Sequence, residues 1–416
     1  MTLVLLEGFL ARQRLRAGLL SDHISTLAGV LASRGYARVT IEEHIRLVAD
    51  LGLWLDRRRL ALTDLDERLV VRFLDHLRRR GRRARSNGAK LTAALEELRG
   101  AGVLSPRTTN TEIGASPINR VALDFMRYLF DQRGLNATTR ANYAADVRRL
   151  LTRCFHDGPV KLDELCPEDI SRFITHEAQR VSLGRAKGIV SALRSFLRWL
   201  HQRGDTDTDL AGCVPAVSGW RLATLPKSIA PEQVEILLQH CDRATVVGRR
   251  DYAILLLLAR LGLRAGEVVG LELDDIDWEA GEIVVRGKGG RFDRLPLPPD
   301  VGVALAAYLR EGRPSCSTRR VFVRVIAPCR GFAGSAAICV IVRHALNRAG
   351  IESSRTGAHV LRHTLATTML NRGASLAEIG EVLRHRSLDA TAIYAKVDLA
   401  ALRTLAPSWP QAGGDA

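Results

Sequence analysis

The stretch that decides the reading runs from His359 to Tyr394. It opens His359-Val360-Leu361-Arg362-His363-Thr364, continues through Leu383-Arg384-His385-Arg386-Ser387, and closes at Ile393-Tyr394-Ala395. The apolar run Val360 to Leu370 predicts a helix, on which His359, Arg362 and His363 fall at i, i+3 and i+4 and share one face. Two imidazoles and a guanidinium on one face suit a phosphate. Arginine offers a forked set of donors, and imidazoles donate hydrogen bonds or move protons. Tyr394 follows His385 by nine positions, after a break at Ser387-Leu388-Asp389. A phenol delivered to such a cluster can serve as a covalent nucleophile. Taken singly, each residue fits a basic helix with core histidines and a packed tyrosine just as well.

Upstream, Ile229-Ala230-Pro231-Glu232 opens a helix with proline in its first turn, and Asp251 to Leu261 reads as a buried helix. Gly262-Leu263-Arg264-Ala265-Gly266-Glu267 breaks that helix and starts another. Arg264 and Glu267 stand three apart, so a helical turn lets the carboxylate hold the guanidinium. Strand signals follow at Ile276 to Trp278, Glu282 to Arg286 and Arg294 to Leu297, joined by glycine-containing turns into two hairpins. Lys288 lies in the second turn, Gly287-Lys288-Gly289-Gly290, where no Ser or Thr follows it as in a P-loop. Arg320 to Val325 reads as a further strand.

The first half of the chain is helical and repeats itself. Ser21-Asp22 precedes a helix ending at Gly35, and Thr40-Ile41-Glu42-Glu43 has the form of a capping box. Asp66 precedes a helix with Val70, Phe73, Leu74 and Leu77 on one stripe. A basic run, Arg78 to Arg85, leads into a fourth helix. Thr139 stands 99 positions after Thr40, and Leu162, Leu165, Arg172 and Phe173 match Leu62, Leu65, Arg72 and Phe73 at an offset of 100. Four helices answer four helices, which points to an internal duplication. Segments rich in Thr, Asn, Gly and Pro at 106–116 and 205–226 read as linkers. The expected domains are 1–104, 117–204 and 228–410.

Composition agrees with a polyanionic partner. The 416 residues carry a formal net charge of +16, with 61 Lys and Arg of which only six are Lys. Nucleic acid is the first candidate partner and an anionic membrane surface the second. The apolar run Ala253 to Ala259 stops at Arg260, too short to span a bilayer, and no amphipathic anchor is visible. Seven scattered cysteines without a CxxC fit reduced thiols in a cytoplasm, and no zinc spacing is present.

Arg264, Lys288, His359-x-x-Arg362, His385 and Tyr394, in that order, resemble the tyrosine site-specific recombinases, or phage integrase family. The framing residues Gly262-Leu263-Arg264-x-x-Glu267, Gly287-Lys288-Gly289 and Leu361-Arg362-His363-Thr364 match as well. One departure is Arg384, where the family usually has Gly before the histidine; it bears on the local backbone. The resemblance implies an α+β, mostly α, fold: two helical SAM-like DNA-binding domains, then a catalytic domain with a small antiparallel sheet. It implies double-stranded DNA as substrate and a homotetramer in the synaptic complex, with accessory recombinases as further partners. It implies no cofactor: neither metal nor ATP is needed. Arg264 and Arg362 would neutralise the phosphate, with His385 donating a further hydrogen bond. Lys288 would protonate the leaving 5′ oxygen, and His359 would take the tyrosine proton or orient the phosphate. Tyr394 would form a 3′-phosphotyrosine. The first repeat and the tail after Tyr394 look more like a mobile-element integrase than the Xer-like branch that resolves DNA dimers. A non-catalytic architectural DNA-binding protein would share the charge, and a monomeric type IB topoisomerase the chemistry; strand exchange separates both from a recombinase.

Overall fold

A computed structural model describes residues 6–14, 17–80, 84–104, 116–156, 158–218, 225–287, 291–385 and 387–397, with backbone alone at 84–86 and 388. It separates into two compact units. One comprises the described residues of Met1–Pro106 and Thr224–Ala416, the other those of Arg107–Ala223. The fold is mostly helical with one three-stranded antiparallel sheet. Among the described residues no helix is long and apolar enough to cross a membrane.

The helical elements before Gly204 recur at nearly constant spacing. Arg38–Asp56 and Ala137–Phe155 are each 19 residues long and begin 99 positions apart. A 3-10 turn at Leu62–Asp64 is answered by Leu162–Glu164, and the helix Glu67–Arg79 by Pro167–Arg180. Ala84–Gly100 is likewise answered by Leu183–Arg203. The caps differ from expectation in one respect. Thr40 and Thr139 do not start their helices but lie inside the first turn. Asn136 caps the second helix, its side chain accepting from the Thr139 amide at 2.9 Å. Glu43, expected to close a capping box, instead accepts from Lys90 at 2.7 Å. Asp66 caps as read, accepting from the Leu69 amide at 2.8 Å. Each repeat buries its own apolar centre, one around Leu55, Phe73 and Leu95, the other around Phe125, Phe173 and Phe196. Fully burying a side chain of this size contributes about 1.5–3 kcal/mol. The expected linker at 205–226 is partly absorbed into the second core, where Leu210, Ala211 and Val214 are buried.

From Ile229 onward a larger core forms around the helix Val246–Arg260, whose residues Ala253 to Ala259 are all buried. The strands β1 (Ile276–Asp277), β2 (Glu282–Arg286) and β3 (Phe292–Pro296) pair in that order. Ile283 lies opposite both Ile276 and Leu295. No strand forms at Arg320 to Val325; only isolated bridges join Glu272 to Arg320 and Val323 to Gly331. The reason is local. The Arg313 guanidinium takes the carbonyls of Thr318, Arg320 and Val321, which a strand neighbour would otherwise use. A smaller satellite cluster, Ala366, Leu370, Ile379, Leu383 and Tyr394, sits apart from the main core.

Candidate active site

Gly262 is the pivot of the site. It follows the buried helix with φ at +58°, and a Cβ there would meet Leu383 Cδ2 at 2.8 Å and Leu365 Cδ2 at 3.0 Å. Its carbonyl accepts from Arg362 Nη1. Gly262→Ala therefore combines left-handed backbone strain with overlap, for an expected loss of about 2–4 kcal/mol in denaturant unfolding. A loss below about 1 kcal/mol would mean that the turn relaxes freely.

Two residues beyond, Arg264 caps the short helix Ala265–Gly270. Glu267 accepts from the Arg264 amide at 2.8 Å and from Arg264 Nη1 at 2.7 Å, the arrangement expected from their spacing. Burial alone would raise the Glu267 pKa. The Arg264 amide and the Arg384 and Arg264 guanidiniums outweigh it, so the carboxyl is held below its ordinary value. Arg384 has φ at +55°, a conformation in which glycine alone is free of side-chain strain. Its backbone carbonyl accepts from Arg264 Nη2 at 3.3 Å, and its own Nη2 donates to Glu267 at 2.9 Å. Glu267 thus joins two arginines.

The helix His359–Asn371 carries the next three groups, as the apolar run indicated. Its register is fixed by buried Thr364, whose hydroxyl accepts from the Ile229 amide at 3.0 Å. Arg362 is 4% exposed and donates from its two Nη atoms to the carbonyls of Gly262 and Leu383. Burial, with Arg264 and Arg384 nearby, lowers its pKa to about 10, still cationic at neutral pH. His359 is exposed at the helix start, its ring 6.3 Å from that of His363. A cavity of about 280 Å³ opens beside the two rings, lined among others by Lys227, Arg355 and Ile393.

Tyr394 is 1% exposed, and its hydroxyl lies 2.9 Å from His363 Nδ1. Burial, slightly offset by Arg362, raises the phenol pKa. Burial, His359 and Arg362 lower that of His363, which keeps the imidazole neutral and able to accept the phenol proton. His385 stacks parallel to the Tyr394 ring at 6.4 Å and shares a 2.7 Å hydrogen bond with the buried Thr391 hydroxyl. The structure thus brings together Arg264, Arg362, His385 and Tyr394, with His359 at the rim. Lys288 lies outside the described residues. His363, noted in the sequence as part of the shared helix face and of the frame around Arg362 but given no role, is the residue that meets the tyrosine hydroxyl. Nothing in its spacing distinguishes it from His359.

Burial, then Arg362 and Arg264, lower the His385 pKa to about 4. An unfolded chain takes up a proton there below the ordinary value near 6.5, whereas the folded chain does not until about 4. Folding stability therefore falls as pH drops from 6.5 toward 4. His385→Gln should flatten that part of a pH series of urea midpoints. An unchanged slope in the variant would show that His385 titrates normally in the folded chain.

The chain resembles known proteins along most of its length. Residues 227–400 match the family model for the phage integrase family, and 123–204 that for the phage integrase N-terminal SAM-like domain. A putative integrase/recombinase of Sinorhizobium fredii, y4rA, is 44% identical over 94% of this chain and 95% of its own length. The tyrosine recombinase XerD of Mycobacterium tuberculosis is 32% identical over 67% of this chain and 93% of its own. Among solved structures, XerH site-specific recombinase bound to its difH substrate shares the fold. Its TM-score is 0.54 at 20% identity, over 73% of this chain and 92% of that one.

Proposed function

Because the chain belongs to the phage integrase family of tyrosine recombinases, enzymes that cleave and rejoin DNA, we propose that it integrates, excises or transposes a mobile element. The observation that carries the chemistry is the Tyr394 hydroxyl on neutral His363, beside Arg362, Arg264 and His385. In the proposed reaction the Tyr394 oxygen attacks a DNA phosphorus and its proton passes to His363 Nδ1. The bond to the 5′ oxygen breaks, giving a 3′-phosphotyrosine and a free 5′ hydroxyl. Each guanidinium carries five N–H donors. Arg264 and Arg362 each give two to the protein, leaving the others for the non-bridging oxygens as charge develops. Lys288 supplies the proton to the departing oxygen. Attack by a 5′ hydroxyl from another strand reverses the step, conserving bond energy. Exchanging both strands of two duplexes takes four such cleavages, hence four protomers in the synaptic complex.

The mobile-element assignment is supported by the extent of the relatives. The S. fredii proteins y4rA and y4rF, both named putative integrase/recombinase, match 94% and 96% of this chain. XerD matches only 67%. The likeness to XerD favours a second reading, resolution of DNA dimers. Supplying the purified chain with a plasmid bearing the DNA that flanks its gene tests the choice. Excised circles with joined ends support the mobile-element role. Their absence, together with conversion of plasmid dimers to monomers, supports the second.

A further inference from the structure

The first repeat holds a cationic cavity that plays no part in the chemistry above. It has a volume of about 450 Å³ and lies between the ends of the helices Arg38–Asp56 and Glu67–Arg79, lined among others by Asp50, Trp54, Arg57, Arg58, His76 and Arg80. Three guanidiniums face a single lining carboxylate, Asp50. Arg58 stacks on the Trp54 ring, 4.3 Å from its centroid. Trp54 is 4% exposed, and its indole N–H is buried with no acceptor among the described residues. A buried donor left unmatched carries the full cost of its lost hydration. Burial, then the charges of Arg80, Arg58, Arg79 and Arg57, lower the His76 pKa.

Cations near a helix C-terminus complement its dipole, which accounts for some arginine at each of these two ends. It does not account for cations from both ends lining one cavity, nor for the orphan indole N–H. Like charges collected around a polar cavity repel until an anion joins them. In the second repeat, His176 and Arg180 stand 100 positions after His76 and Arg80. The positions 99 after Trp54, Arg57 and Arg58 are instead Arg153, His156 and Asp157. The Trp54–Arg57–Arg58 trio therefore belongs to the first repeat alone.

We propose that this cavity is a binding site for backbone phosphate of duplex DNA, and that it anchors the first repeat to DNA outside the stretch being cut. Duplex backbone is favoured over a free anion because Arg78 and Arg79 carry the positive charge on through the last turn of the helix Glu67–Arg79, in a chain whose family acts on DNA. The proposal rests on the chain being a recombinase, but its test needs no cleavage. The full chain carrying Tyr394→Phe is titrated onto a random-sequence duplex, by fluorescence anisotropy, over a series of KCl concentrations. Adding Arg58→Gln and Arg80→Gln together should lower the log–log salt slope by about two units, since each phosphate contact contributes about 0.9. Arg58→Lys with Arg80→Lys keeps the charge and should keep most of the slope, which also controls for folding. Arg12→Gln with Arg38→Gln removes equal charge from residues that do not line the cavity, and should change the slope by less than about half a unit. Equal losses in the two Gln pairs, or none in either, would overturn the assignment. So would an unchanged DNA slope with inorganic phosphate raising the melting temperature of the parent but not of Arg58→Gln/Arg80→Gln, since the site would then take a free anion. Failure of Tyr394 to form an adduct would remove the recombinase reading while leaving these slopes as measured.

Discussion

Tyr394→Phe is expected to form no covalent adduct with a nicked duplex, while binding that duplex as the parent does. Deleting a nucleophile from a catalytic unit removes on the order of 10⁶ in rate, which puts any residual cleavage below detection on a gel. The phenyl ring still fills the satellite cluster that Tyr394 occupies. The fold should accordingly lose only about 1 kcal/mol, the worth of the hydroxyl's bond to His363. Denaturing electrophoresis before and after protease digestion reads the result. A protease-sensitive adduct persisting in this variant would assign the nucleophile to another residue.

Lys288→Ala is expected to slow cleavage of ordinary DNA by roughly 10²- to 10⁴-fold, the range for loss of a positioned general acid. A substrate with sulfur in place of the bridging 5′ oxygen has a leaving group that needs no proton. Most of the lost rate should return with it. Arg264→Ala should lose activity on both substrates if its guanidinium, held by Glu267, has the proposed role of answering charge on the phosphorus oxygens and not on the leaving group. Equal rescue of the two variants, or rescue of neither, would take the proton-donor role away from Lys288.

Much of this site was legible because its parts obey short-range rules. Arg264 and Glu267 are tied by a three-residue spacing that a helical turn converts into a contact. Arg362 faces the site because an apolar run sets the helix register. The strands β1 to β3 could be read from alternation and glycine turns, and the repeat from matched spacing. What escaped depends on contacts between distant segments. His359 and His363 look equivalent along a helix, and only the return of the chain at Tyr394 chooses between them. The strand expected at Arg320 to Val325 is lost to Arg313, whose guanidinium competes for the same carbonyls. Arg384 looked like a departure affecting the backbone alone. Its positive φ bears that out, but its side chain also holds Glu267, a bond that no local pattern announces.

The satellite cluster has a consequence for timing. Tyr394, the proposed nucleophile, is one of five buried side chains in this patch, which is far smaller than the core around Val246–Arg260. Small clusters open at lower free energy than the domains they adjoin. Amide protons between Ser387 and Val397 should therefore exchange with solvent well before those of Val246–Arg260. If Tyr394 is the nucleophile, a phenol 1% exposed reaches a phosphate only when this short segment opens, so the rate of that opening would set the pace of attack.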